Sequence, residues 1–262
     1  MFRLWNRFLG GRNITELSSR IKKIKYGSIL DYVGEKGLFL EENLLLAQSF
    51  KNTSIALKLT SLGLPDQDLA LSNARKIIQE ATRNGNRVLV DAENLKNQKS
   101  INFISNQLIE EFNEPSRIRV FKTYQMYYMD SLKYLEKDIA SFPNLGVKLT
   151  RGAYYNEDKG SGLLCCEKFL TDNNYNTGIT RLADMPETSV ILATHNWTSC
   201  MIGLRYPNFM YAQLLGMSDD LTEALYQAEV PVFKYVPYGE YSVSIRYMLR
   251  RLYENLDMIK NF

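Results

Sequence analysis

Apolar positions along the chain fall into two alternating kinds of run. Short β-type runs cover Ser28–Tyr32, Ile55–Leu59, Arg87–Val90, Arg119–Tyr124, Gly146–Leu149, Val190–Ala193, Phe209–Leu214 and Val232–Val236. Between them lie amphipathic stretches with helical spacing. In Asp66–Arg83 the apolar stripe is Leu69, Ala70, Ala74, Ile77, Ile78 and Ala81, and in Tyr128–Ala140 it is Leu132, Leu135 and Ile139. A shorter helix is predicted around Asn43–Lys51 and an apolar one over Ser242–Leu256. Strands separated by helices imply parallel βαβ units, and eight of them predict an α/β fold, a TIM-type (βα)8 barrel, rather than an open sheet. No Pro/Gly-rich linker or shift in composition divides the chain, so residues 27–262 are expected to form a single domain behind a basic leading segment, 1–26.

In such barrels functional groups gather at the carboxyl ends of the strands. Here those ends read Asp31, Lys58, Asp91, Gln125, Lys148 with Arg151, then Thr194, His195 and Asn196, then Gln213 and Tyr235. One strand ending in a polar residue is ordinary. The same at every strand marks one rim of the barrel as the candidate site.

Composition narrows the chemistry. The 262 residues are 45% hydrophobic and 23% charged, a globular profile, and the net charge of +3 is too small for a nucleic-acid footprint. Cys165, Cys166 and Cys200 are odd in number, two of them adjacent, and contain no C-x-x-C pair, which argues against a disulfide framework or a structural zinc site. A single histidine, His195, excludes any centre that needs two. The chemistry is left to carboxylates, lysine, arginine, tyrosine, one imidazole or a cofactor, with no metal expected. The longest apolar uncharged stretch, Thr188–Leu204, is interrupted by Thr, Ser, Asn and His, so no transmembrane helix is predicted. Arg3, Arg7, Arg12 and Arg20 alternate with Phe2, Leu4, Trp5, Phe8 and Leu9, the pattern of a targeting segment, a surface anchor, or a basic helix packed on the domain.

Several spaced motifs then carry a resemblance. Val147-Lys148-Leu149-Thr150-Arg151-Gly152-Ala153-Tyr154, Ala193-Thr194-His195-Asn196, Gln213-Leu214-Leu215-Gly216-Met217, Lys234-Tyr235-Val236-Pro237-Tyr238-Gly239 and Leu249-Arg250-Arg251-Leu252-Tyr253-Glu254-Asn255, together with Thr123-Tyr124-Gln125, resemble the eukaryotic-type proline dehydrogenase family, in order, from about Leu30 to Leu256. The resemblance implies a barrel that holds FAD noncovalently, oxidises L-proline to Δ1-pyrroline-5-carboxylate as the first step toward glutamate, and passes the electrons to a membrane quinone through peripheral contact. It also implies a mitochondrial setting, with a cytoplasmic one as the alternative.

The residue roles follow from that resemblance. Arg250 and Arg251, about 100° apart on one helix, and Lys58 match the cations that bind the substrate carboxylate; an arginine doublet by itself is usually a solvated face, whereas guanidinium offers bidentate recognition. Three cations around one carboxylate predict acids nearby. Glu35 matches an acid that closes over the site by pairing with an arginine of that helix. Tyr154, Leu214 and Tyr235 match the walls of the proline pocket. Lys148 matches the basic residue beside flavin N5, and Asp91 an active-site acid that fixes geometry and charge. Ala92, Gln125, Arg151, Gly152, Ala153, Thr194, His195, Asn196 and Glu254 match cofactor contacts. The sequence departs from the family at Lys122, Thr150 and Glu240. Two rivals remain: a Schiff-base aldolase barrel using Lys58 or Lys148, which needs a desolvated strand-end lysine, and a degenerate, non-catalytic barrel.

Overall fold

The computed structural model describes residues 7–34, 37–185, 187–245 and 247. Its element order is α1 (Ile14–Ile21), β1 (Gly27–Tyr32), α2 (Leu40–Ser49), β2 (Ser54–Leu57), α3 (Gln67–Arg83), β3 (Arg87–Val90), α4 (Leu95–Phe112), β4 (Val120–Gln125), α5 (Ser131–Ser141), β5 (Gly146–Thr150), α6 (Tyr155–Asp158), α7 (Lys168–Ala183), β6 (Ser189–Ala193), α8 (Trp197–Gly203), β7 (Phe209–Leu214), α9 (Asp219–Gln227) and β8 (Val232–Tyr238). All neighbouring strands pair in parallel and β8 closes on β1, which confirms the (βα)8 barrel. The expected strands lie on the observed ones, with β3 and β7 matching end to end.

The other strands shift by one or two residues at an end, and three boundaries bear on the site or its surroundings. β2 stops at Leu57, and Lys58 leads into a short 3-10 turn over Leu59–Leu62, so Lys58 stands just past the strand. The helix expected from Tyr128 starts at Ser131, because Met129 N–H bonds Leu163 O and Cys165 N–H bonds Tyr127 O, which draws residues 127–129 into a pairing with the loop after β5. α2 begins at Leu40 rather than near Asn43. Of the predicted closing helix, residues 242–245 and 247 are helical, as is Tyr241 just before it; the rest lies outside the described residues.

Side chains alternate between the two faces of each strand. Outward-facing Leu30, Ile55, Leu57, Val88, Val90, Val147, Leu149, Val190 and Leu192 join the helix stripes, including Ala70, Ala74, Ile77, Ile78 and Ala81 of α3, in the main core. Inward-facing Ile29, Ala56, Leu89, Phe121, Ile191 and Ala212 form a separate apolar plug inside the barrel. α3 starts where Asp66 caps it, its carboxylate accepting from Leu69 N at 3.0 Å. The segment before β1 lies on the barrel: Gly10 N–H bonds Pro237 O at 2.7 Å, Gly239 N–H bonds Gly11 O at 3.0 Å, and Leu9 packs with Val33 and Tyr247.

Phe121 is fully buried in the plug. Phe121→Ala is expected to lower unfolding free energy by about 3–5 kcal/mol through lost transfer energy and the cavity left behind, read as a lower denaturant midpoint at unchanged slope.

Candidate active site

Two positions along the chain from each plug residue, the same face of the strand is reached again, one layer nearer the carboxyl ends. From Ile29, Ala56, Leu89, Phe121, Ala212 and Phe233 that step arrives at Asp31, Lys58, Asp91, Thr123, Leu214 and Tyr235, and β5 contributes Lys148 in register with Thr123. Period-two alternation thus places an apolar plug below and a charged chamber above it.

The chamber is held by ion pairs. Lys58 Nζ donates to Asp31 Oδ1 and Lys148 Nζ to Asp91 Oδ1. Tyr235 Oη donates to Asp91 Oδ2 at 2.9 Å, and the Lys148 ammonium lies 5.4 Å from the centre of the Tyr235 ring. Asp31 is fully buried and Lys58 nearly so. Burial raises the Asp31 carboxyl above the ordinary carboxylate range, with Asp91 adding to the rise, against the pull of Lys58. Burial works on Asp91 in the same direction, but the nearby charges of Lys148 and Lys58 and the hydrogen bonds from Lys148 and Tyr235 outweigh it and hold Asp91 low. Tyr235 is raised well above an ordinary phenol, first by burial and then by both carboxylates. The acids expected near Lys58 are therefore present among the described residues, with Asp31 in direct contact.

The rim beside the chamber is tied together by loops. Gln125 bridges β3 and the loop after β5: its Nε2 donates to Glu93 O at 2.8 Å and its Oε1 accepts from Ala153 N at 3.0 Å. Gly152 has φ of +143°, and a Cβ there would fall 2.5 Å from the Tyr127 ring, so glycine is required both by backbone conformation and by space. Arg151 donates to Asp172, Thr194 Oγ1 and Ser199 Oγ, and stacks over Tyr175 at 4.4 Å. Thr194 Oγ1 also accepts from Asn196 N at 3.0 Å, and Asn196 caps α8 through Ser199 N. His195 Nε2 accepts from Leu214 N at 3.0 Å, which assigns the ring proton to Nδ1. Ala92 and Tyr154 are buried and Leu214 half-buried. Glu35, Arg250, Arg251 and Glu254 lie outside the described residues.

Some strand ends do not serve the chamber. Gln213 faces outward, donating to Thr194 O at 3.2 Å and accepting from Thr222, so Leu214 is the residue β7 presents inside. Lys122 also faces outward, pairing with Asp138 at 2.6 Å and with Asn106 at 2.7 Å. That network forms part of a side cavity of about 430 Å³ between α4 and α5. Several structural partners were not assigned from sequence. Asp158 accepts from the Tyr127 and Tyr128 hydroxyls and from Leu95 N, joining the loops after β3, β4 and β5. Glu93 accepts from Thr60 N and its hydroxyl. Asp31 was within reach of the alternation, being in phase with Ile29. Asp158, Asp172 and Glu93 sit on loops or helices where no periodicity points to a partner.

Fold and site together define a TIM-barrel protein of the type that carries its chemistry at the carboxyl ends of the strands. The proline dehydrogenase family profile matches residues 14–261, and the chain belongs to that family. It is 33% identical over 193 residues to the carbapenem antibiotics biosynthesis protein CarD of Pectobacterium carotovorum, covering 69% of this chain and 51% of that protein. It is 29% identical over 229 residues to proline dehydrogenase 1, mitochondrial, of Dictyostelium discoideum, covering 77% of this chain and 40% of the relative. The crystal structure of proline utilization A from Bdellovibrio bacteriovorus has the same fold, with a TM-score of 0.79 at 18% identity, covering 95% of this chain and 32% of that one. The chain thus spans about half or less of the length of these relatives.

Burial, the largest influence, raises Glu93 to about 7, against the hydrogen bonds from Thr60 that lower it. The folded protein therefore holds this proton over a range where the unfolded chain has released it, so the stability it contributes is present at low pH and is lost as pH rises toward 7. Relative to Glu93→Gln, the wild type is expected to lose on the order of 3 kcal/mol of unfolding free energy between about pH 4.5 and pH 8, measured by denaturant titrations of both proteins across that range.

Proposed function

We propose that this barrel is the catalytic domain of a flavin-dependent proline dehydrogenase that oxidises L-proline to Δ1-pyrroline-5-carboxylate, the first step toward glutamate, and passes the electrons to a quinone. The observation that carries the reading is the convergence of Lys58, Asp91, Lys148 and Tyr235, matched one by one to family positions, in a single chamber above the plug. The donor set beside it suits FAD: a lysine ammonium, an amide that both donates and accepts, a guanidinium and an imidazole lie on the consecutive ends of β4, β5 and β6. When bound there, the flavin supplies the acceptor for the hydride leaving the carbon next to the ring nitrogen.

The chain's own residues bind, orient and exclude water. Lys58, with Arg250 and Arg251, takes the substrate carboxylate, and Tyr154, Leu214 and Tyr235 form the pocket wall. Lys148, braced by Asp91, and Gln125 would hold the reacting ring of the cofactor. Both oxygens of Asp91 are engaged, one by Lys148 and one by Tyr235, which suits a residue that fixes geometry and charge better than a proton acceptor. Arg151, Gly152, Ala153, Thr194, His195 and Asn196 would hold the rest of the cofactor together with Ala92 and Glu254, and Glu35 takes the gating role that the family resemblance assigns it. Arg151 is pre-set for this by Asp172 and Ser199. The aldolase alternative needs a neutral lysine, whereas both chamber lysines are held in ion pairs with carboxylates.

A mitochondrial setting with peripheral contact to the quinone-bearing membrane belongs to the same reading. No described helix is long and apolar enough to cross a membrane.

Purified protein loaded with FAD is expected to show a bound-flavin spectrum that L-proline bleaches under anaerobic conditions, and Lys148→Met to slow that bleaching by at least about tenfold while flavin stays bound. A lysine adduct trapped by borohydride with a carbonyl substrate, in protein that binds no flavin, would overturn the reading in favour of the aldolase.

A further inference from the structure

Asp31 has no place among the residues the family resemblance assigns, yet it is the most completely buried charged group in the chamber. It is fully buried on β1, its Oδ1 accepts from Lys58 Nζ, and its Oδ2 is buried with no hydrogen-bond partner. A carboxylate satisfied on one oxygen only is an expensive way to stabilise a barrel, since an apolar residue in phase with Ile29 would extend the plug without a desolvation cost. What the placement does provide is a carboxylate held against the Lys58 ammonium.

We infer that Asp31 is a positioning residue that keeps Lys58 charged and aimed at the point where the substrate carboxylate docks. The inference rests on the assignment of Lys58 to the substrate carboxylate. Removing a carboxylate in contact with a buried ammonium makes that ammonium easier to deprotonate, and a neutral amine is a poor ligand for a carboxylate. The described groups that face this pair come from several elements. Asp91 and Glu93 follow β3, Lys148 lies on β5, and Tyr235 and Tyr238 lie on β8, with Tyr247 beyond them. The Asp91 charge is engaged by Lys148 and Tyr235, and Glu93 by Thr60, so among the described residues Asp31 is the carboxylate in contact with Lys58. Register supports the geometry: Asp31 pairs with Ala56 across β1 and β2, two residues before Lys58.

The experiment compares wild type with Asp31→Asn, which keeps the shape and removes the charge. Proline-dependent dye reduction is expected to show KM raised about tenfold or more at about pH 8.5, converging on wild type toward about pH 6 as Lys58 regains its proton, with kcat within about threefold throughout. Adding Asp31→Asn to Lys58→Met is expected to change KM no further. Independently of any substrate, the Lys58 side-chain nitrogen, followed by NMR in isotopically labelled protein, is expected to titrate at lower pH in Asp31→Asn than in wild type. Parallel KM–pH profiles with an unshifted Lys58 titration would overturn the inference. Should wild type fail to oxidise proline, the proposed activity fails while the NMR titration still decides the role of Asp31. If Asp31→Asn alone does not fold, the Asp31→Asn/Lys58→Met double variant is expected to fold, because the buried ammonium that Asp31 contacts is then absent as well; failure of both would count against the inference.

Discussion

Two carboxylate–ammonium pairs, Asp31 with Lys58 and Asp91 with Lys148, sit inside the barrel largely removed from solvent, and the site is organised around them. Charges taken out of water are tolerated only when each finds its opposite in good geometry. The pairs tie β1 to the end of β2 and β3 to β5, so the barrel must close in one register for either to form. Tyr235 adds β8 to the same arrangement through its bond to Asp91. A slip of one residue in any of these strands would turn the charged side chain outward and an apolar one into the chamber.

The chamber is supported differently on its two sides. Below, the apolar plug from Ile29 to Ala212 keeps the interior dry and gives the buried charges a low-dielectric floor, which strengthens every interaction above it. Above, loops that have no regular structure of their own are fixed by single side chains. Asp158 gathers Tyr127, Tyr128 and Leu95, while Arg151 reaches Asp172, Thr194 and Ser199. These contacts set the rim with little freedom, and a rim that is already ordered loses little entropy when it orients a ligand.

The outward faces show that a buried lysine is not by itself a sign of chemistry. Lys122 and Lys234 are as buried as Lys58, yet they pair with Asp138 and Asp219 between the strands and the helix layer, where they join barrel to helices. Position relative to the period-two alternation separates the two classes: residues in phase with the plug belong to the chamber, and residues out of phase belong to the outer layer.

Periodicity along the chain determined the barrel, its strand order and most of its rim, because alternation of apolar runs is a local property that any parallel (βα)8 closure must respect. Lys58, Asp91, Gln125, Lys148 and Tyr235 were legible as strand-end groups for that reason. The pairing among them was not. Asp91 lies 57 residues from Lys148 and 144 from Tyr235, and Asp158 lies 63 from Leu95, separations across which no local pattern carries information. Gln213, polar and terminal on its strand, turned outward and left Leu214 inside, a distinction of one residue in phase that strand length alone could not make. Which acid meets which base was decided by the barrel, which alone brings the ends of strands distant in sequence, such as β3, β5 and β8, within hydrogen-bonding distance in a largely buried space.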